Sequence, residues 1–586
     1  MIKKLVKFEN LILALIYALT LWLFVAIRYD FYFALNDDVL MKDLLAGIYT
    51  GTPEASNIQM LYPLGFVISL FYRIIPALPW YGLFLVSCQF FSLFFIAFHS
   101  LKFCQNRIKK ILLLIAQLII IVITMLQHLV YVQYTITSAM LATAAVFYFI
   151  TSKANEDVKV FIKVNIPALI LIVIAFWLRS WMLWLLLPLI CVAGIFKWSL
   201  ETPIFTKQNL QKYFSLFGVL LALLLVSQAI DFLAHSGTEW RQFNRFFSNR
   251  TKLYDFQTIP EYEENIDFYN SINFTYGEVN LLKNYNFGLS DKINEVSLGE
   301  IAAYANQKRN ETQSFGERFM KQFRAYCHVT AKGGHGYYPY NMLVLLGYAA
   351  LLGWAFFSNQ LGRIVTILFM LGIVRSGLWL SILMGERYPE RIIHSLFFFE
   401  MMFLLAMFMM EIKKDVEFGD KKKKLLPLIV AVVAVIIVSS DAQLMFINLD
   451  NAFFYTGFEN EPWRKMQEYA KDNPENFYFV DVYSSVNYVE KIVVNTATRP
   501  ANYDIMGGWA VNSPLHRKKL DRMIAPGVSM FDALLKHDNV YFINSIWRDT
   551  AWLPAYFAER GYEISLEKVD GIVDGIFDNL EVYKLR

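Results

Sequence analysis

Two carboxylates stand side by side in Asn36-Asp37-Asp38, shortly after the first long apolar run ends at Arg28. An acid pair next to a bilayer can take a proton from a hydroxyl, and crowding two carboxylates raises one pKa toward a useful range. Capping is the plainer role: Asn36 or Asp37 would make a good N-cap, and acids are favoured in a first helical turn. Leu40, Leu44, Leu45 and Ile48 follow at helical spacing, so 38–48 is expected to form a short helix lying on the membrane surface.

Guanidinium groups offer the complementary chemistry. Arg179 separates two apolar runs in AFWLRSWMLW, and Arg375 sits inside the run FMLGIVRSGLWLS. A charge at that depth is costly and calls for a task or a partner. A guanidinium fork matches phosphate oxygens; pairing with a residue such as Asp231, or snorkelling, would satisfy it equally. Arg387, Arg391 and His394 form a third group with i, i+4, i+7 spacing. If a helix runs through Pro389, the three share a phosphate-binding face; otherwise they belong to a solvated turn with Glu–Arg pairs. Lys332 and His335, beside Gly333, Gly334 and Gly336 and ahead of Tyr337, Tyr338 and Tyr340, could turn the backbone close to a phosphate, or could serve an interfacial aromatic belt. Gly507-Gly508-Trp509 offers a sugar-stacking ring in a glycine turn, or a packing corner.

These groups must be positioned by membrane-spanning helices. The chain has 586 residues, 56% apolar, 17% aromatic and only 18% charged, with mean hydropathy +0.39. Soluble chains carry about 25% charged residues, so this composition excludes a soluble enzyme, a disordered chain and a coiled coil. The net charge of +4 is small and dispersed, which gives no nucleic-acid footprint. Cys88, Cys104, Cys191 and Cys327 have no CxxC spacing and suggest neither disulfides nor zinc. Apolar runs read as spans over 9–28, 61–77, 80–100, 111–129, 131–150, 163–178, 181–197, 214–233, 341–357, 364–384, 393–411 and 425–446. Basic short loops at 101–110, 151–163, 197–213 and 411–424 face the cytoplasm by the positive-inside rule. So does the amino terminus, through Lys3, Lys4 and Lys7, which puts 29–60, 235–340 and 447–586 outside. Twelve crossings cannot satisfy every loop. The run at 61–79, with Arg73, Pro76 and Pro79, is the suspect for re-entry, and 11–13 transmembrane helices are expected. Residues 1–446 thus read as a transmembrane domain and 447–586 as an extracytoplasmic α/β domain. In the latter 477–482, 539–545, 562–569 and 580–585 are expected as strands, and 513–523 and 549–561 as helices.

The layout over 1–410, and in residue detail the stretch NDDVLMKDLLAGIYTGTPEASNIQMLYPLGFVISLFYRIIPALPWYG, resembles the GT-C superfamily of membrane glycosyltransferases. It is especially similar to multi-span members from Gram-positive bacteria, and weakly similar to bacterial glucosyltransferases that modify surface polysaccharide. The resemblance maps the family's acid pair onto Asp37 and Asp38. It implies a cell-membrane enzyme that moves a sugar from a polyprenyl-phosphate carrier to a glycan, lipid or other acceptor hydroxyl on the outer face, by one inverting displacement with an Asp base. Arginines would stabilise the departing phosphate. Two acids could also bind a divalent metal, but no third ligand accompanies them, and no cofactor is implied. Other readings are a lipid-linked sugar transporter or flippase, with charges along a central path; a polysaccharide polymerase or ligase, relying on Arg and His of 235–340; and an envelope scaffold.

Overall fold

The computed structural model describes residues 2–104, 106–153, 157–332, 336–358, 360–415, 425–486, 488–494, 498–573 and 579–586. It is a polytopic helical membrane protein with a C-terminal domain built on a small sheet. Among the described residues ten helices are long and apolar enough to cross a bilayer: Phe8–Arg28, Trp80–Phe103, Arg107–Val130, Tyr134–Thr151, Val158–Leu178, Ser180–Ser199, Lys207–Ala234, Tyr340–Phe357, Leu361–Met384 and Glu390–Lys413. Tyr134–Thr151 forms the centre of the bundle. It packs on the helices that begin at Trp80, Val158, Ser180 and Glu390. Its small residues, among them Ala139, Ala142, Ala144 and Ala145, let neighbouring backbones come close, as association inside a bilayer requires.

The suspected run at 61–79 forms only the 13-residue helix Tyr62–Ile74, about 20 Å long and too short to span. With that run left on one side, the basic connections all fall on the amino-terminal face. The segment after Ala234 then lies on the opposite face, whereas ten crossings would return the C-terminal domain to the amino-terminal face. The two nevertheless share one hydrophobic core, in which Phe243, Phe246 and Leu298 pack with Phe477, Phe479 and Phe542. One more crossing is required, and the bent pair Leu426–Ser439 and Ala442–Asp472, broken by 44°, is the only described candidate for it. Eleven spans result, the low end of the expected range.

Two arginines inside the bundle are paired with carboxylates. Arg375 bonds Glu400 at 2.9 Å and also donates to the Tyr326 hydroxyl, and Tyr348 donates to the second oxygen of Glu400. Arg363 bonds Glu411 at 2.6 Å.

The C-terminal sheet has the order Tyr503–Ile505, Phe477–Val480, Val540–Ser545, Asn579–Leu585, Leu566–Val573. The first three strands are parallel and the last two antiparallel. Helix Glu461–Asp472 covers one face through Met466 and Ala470. The other face packs on the short helices of 238–312, so that segment and the tail form one α/β/α body, whereas helix Phe315–Ala331 packs on the membrane helices. Strands at 477–480, 540–545 and 579–585 and helices Pro514–Met523 and Trp552–Glu559 match the sequence reading. Strand Tyr503–Ile505 and helix Met530–Lys536 were not anticipated.

A second, very short sheet ties this body to the membrane helices. Tyr32–Phe33 pairs in parallel with Tyr131–Val132 and antiparallel with Glu490–Lys491. Beside it, Lys42 and Arg499, both buried, share the carboxylates of Asp43 and Glu490. Glu490→Gln would leave two buried cations with one carboxylate, a change that costs about 3–5 kcal/mol where a buried pair is broken. A clear fall in the melting temperature of the detergent-solubilised protein is the expected result, with Arg517→Gln, whose ion pair with Glu239 is exposed, as a near-silent control.

Candidate functional site

Between the bundle and the C-terminal body lies a cavity of about 1190 Å³. Its walls come from residues far apart in sequence: Asp37 and Leu40, Arg179, Arg250, Arg387 and Arg391, and Tyr483 and Trp509. All of them sit on the face opposite the amino terminus.

The acids are carried by helix Asn36–Ala46, which starts immediately after the Tyr32–Phe33 strand. Its N-cap is Leu35, with no side-chain cap bond, so neither Asn36 nor Asp37 is spent on capping. Met41, Leu44 and Leu45 are fully buried, so the helix packs into protein rather than lying on lipid. The two carboxylates part company. Asp37 is half-buried and lines the cavity. Asp38 is 0% exposed, accepts a 2.7 Å bond from the Tyr81 hydroxyl, and keeps its other oxygen buried without a partner among the described residues. Burial holds the Asp38 carboxyl well above the usual carboxylate range; Asp37 pushes the same way, while Tyr81 and Arg391 pull against it.

That shift has a sign. The folded pKa lies above the unfolded value of about 3.9, so the folded state holds the proton longer. The group's stabilisation is complete in acid and is lost as pH climbs from about 4 through the raised folded pKa. Asp38→Asn keeps an acceptor for Tyr81 and removes this loss. In thermal melts the variant should gain on wild type at pH 8 and lose that advantage at pH 4.

Four arginines meet at the cavity. Arg179 separates helices Val158–Leu178 and Ser180–Ser199, bonds the Gln59 side chain, and lies 5.1 Å from the centre of the Tyr134 ring. Arg387 pairs with Asp255. Burial and the charges of Arg391 and Arg250 hold Arg387 below its ordinary value, and Asp37 opposes them. Arg391, half-buried, has no carboxylate partner among the described residues. Arg250 was not anticipated. It is 8% exposed, lies over the rings of Phe247 and Tyr285, and has no carboxylate partner among the described residues. The readable signal was its place on the stripe Phe243, Phe246, Arg250, Leu253, the buried face of an amphipathic helix.

Of the other expected site residues, only Trp509 is brought to the cavity among the described residues. Arg375 is committed to Glu400 within the bundle. The helix begins at Glu390, just past Pro389, and leaves Arg387 outside it, so Arg387, Arg391 and His394 do not share one continuous face. His394 turns inward, 2.7 Å from His128 and 2.9 Å from the Gly336 carbonyl. Lys332 is exposed and away from the cavity; His335 lies outside the described residues. Trp509 lines the cavity but is only 6% exposed. Its turn needs glycine twice: a Cβ on Gly507 would come 1.7 Å from the Tyr285 carbonyl oxygen, and Gly508 has φ +100°. No group of three His, Cys, Asp or Glu side chains able to hold a metal ion occurs among the described residues.

No family model matches the chain, and no curated protein matches it in sequence. Among solved structures it is similar to ArnT from Cupriavidus metallidurans, crystallised bound to undecaprenyl phosphate: 97% of each chain aligned, 10% identity, TM-score 0.36. Backbone agreement that loose transfers no residue from one chain to the other.

Proposed function

We propose that this protein transfers a glycosyl group from a polyprenyl-phosphate carrier to an acceptor hydroxyl on the extracytoplasmic face of the cell membrane. The amino terminus and basic connections are cytoplasmic, as the positive-inside rule requires, and the cavity opens outside. One observation carries the reading: Asp37 and four guanidiniums share one cavity, and three of those guanidiniums, on Arg179, Arg250 and Arg391, lack a carboxylate partner among the described residues. A buried cation without a counter-ion is costly, and an anionic ligand removes that cost.

In the reaction Asp37 accepts the acceptor's hydroxyl proton as the oxygen bonds to the anomeric carbon. The bond from that carbon to the phosphate oxygen breaks, and the electron pair leaves with polyprenyl phosphate. Arg179, Arg250, Arg387 and Arg391 stabilise the growing negative charge. Asp38 touches no reacting atom; buried on Tyr81, it fixes the helix that presents Asp37. The transporter reading wants charges along a central path, yet Arg375 and Arg363 are neutralised by partners inside the bundle. The polymerase reading relies on the 235–340 segment, which does supply Arg250. It makes Asp37 dispensable, and there the two readings divide.

Membranes containing the protein, given radiolabelled polyprenyl-phosphate hexoses of several kinds, should discharge at least one onto an acceptor with inverted anomeric configuration. Retained configuration, or no discharge of any donor, overturns the proposal.

A further inference from the structure

The transfer chemistry uses only part of the cavity. At about 1190 Å³ the cavity exceeds the roughly 300–1,000 Å³ of a site for one small ligand. The arginines and Asp37 lie on membrane-proximal helices and the 235–340 segment. Another wall is the C-terminal sheet, and it meets the cavity at a particular place. From strand Phe477–Val480 the chain goes to one neighbour, Tyr503–Ile505, and then crosses back to the opposite neighbour, Val540–Ser545. In open parallel sheets ligands bind outside the carboxyl ends of the strands. Here Tyr483, Ser485 and Val486 follow the first of these strands, and Gly507, Gly508 and Trp509 follow the second; all six line the cavity.

This wall differs in chemistry from the arginine wall. None of the six residues is charged. They offer the ring of Tyr483, an edge of Trp509, which is 6% exposed, and a glycine turn whose backbone can come close to a ligand; the Ser485 hydroxyl is buried on the Val482 carbonyl. Arg548 lies 4.9 Å from the centre of the Tyr483 ring, and Asp504 and Lys519 line the cavity nearby. A flat, neutral ligand rich in hydroxyls fits such a surface: an aromatic face covers the C–H face of a sugar ring, and backbone groups bond its edges. We infer that the carboxyl-end crevice of the C-terminal sheet is a glycosyl subsite that holds the acceptor sugar, facing the carrier phosphate across the same cavity. This rests on the glycosyl-transfer reading.

Val486 is 39% exposed, so Val486→Trp should fill the crevice without disturbing the core. The test uses the full-length detergent-solubilised protein, a panel of methyl glycosides observed by saturation-transfer NMR, and undecaprenyl phosphate binding measured in parallel. At least one glycoside should bind wild type and bind Val486→Trp and Tyr483→Ala at least tenfold more weakly, with undecaprenyl phosphate affinity changed less than twofold. If no glycoside binds, if binding survives both substitutions, or if carrier affinity falls equally, the inference is overturned. Failure of the transfer reading registers separately, as wild type failing to bind undecaprenyl phosphate.

Discussion

Asp37→Asn should lower sugar transfer about 10³-fold while the protein still folds and still binds its carrier. A positioned general base contributes about 10²–10⁴-fold, and Asp37 is the member of the acid pair that faces the cavity. Asparagine keeps the size of the side chain and can still accept a hydrogen bond, but it cannot take the acceptor's proton. The helix that carries it is held by the Tyr32–Phe33 pairing and by the Lys42, Asp43, Glu490 and Arg499 cluster, none of which involves Asp37. Unchanged melting and unchanged undecaprenyl phosphate affinity, measured beside the transfer rate, separate lost chemistry from lost structure. Full transfer by Asp37→Asn ends its assignment as base.

Arg250→Gln should move stability and binding in opposite directions. The native guanidinium is buried on Phe247 and Tyr285 without a carboxylate partner among the described residues. Removing an uncompensated buried charge stabilises the protein without ligand, so its melting temperature should rise. Losing a charge-assisted bond to phosphate should weaken undecaprenyl phosphate binding about 10- to 100-fold, or about 1.4–2.8 kcal/mol. Arg387→Gln gives the contrast. Its partner Asp255 would be stranded, so both melting temperature and affinity should fall. If Arg250→Gln melts lower than wild type and binds the carrier normally, Arg250 is a packing residue.

Much of this was legible in the sequence. The spans could be read because bilayer thickness fixes the length of an apolar run, and the defect at 61–79 because Arg73, Pro76 and Pro79 interrupt it. The terminal strands could be read from dense aromatic and β-branched runs such as FYFV and VYFINS. What could not be read were partnerships set by tertiary packing. Which acid faces the cavity depends on Tyr81, 43 residues away. Arg375 was assigned to phosphate because nothing local marks Glu400, on the next helix, as its partner. His394 was placed beside Arg391 because the spacing took no account of His128, 266 residues away and ready to receive it. Arg250 went unnoticed because a charge in a polar segment is ordinary. It becomes conspicuous only when its helix is seen to bury the stripe on which it lies.

The most direct measurement is a structure of the protein with undecaprenyl phosphate bound. The phosphate should lie in the cavity within hydrogen-bonding distance of Arg250 and Arg391, and near Arg179 or Arg387, with the Asp37 carboxylate facing the same space. A phosphate bound outside that cavity, or on the amino-terminal face of the membrane helices, would contradict it.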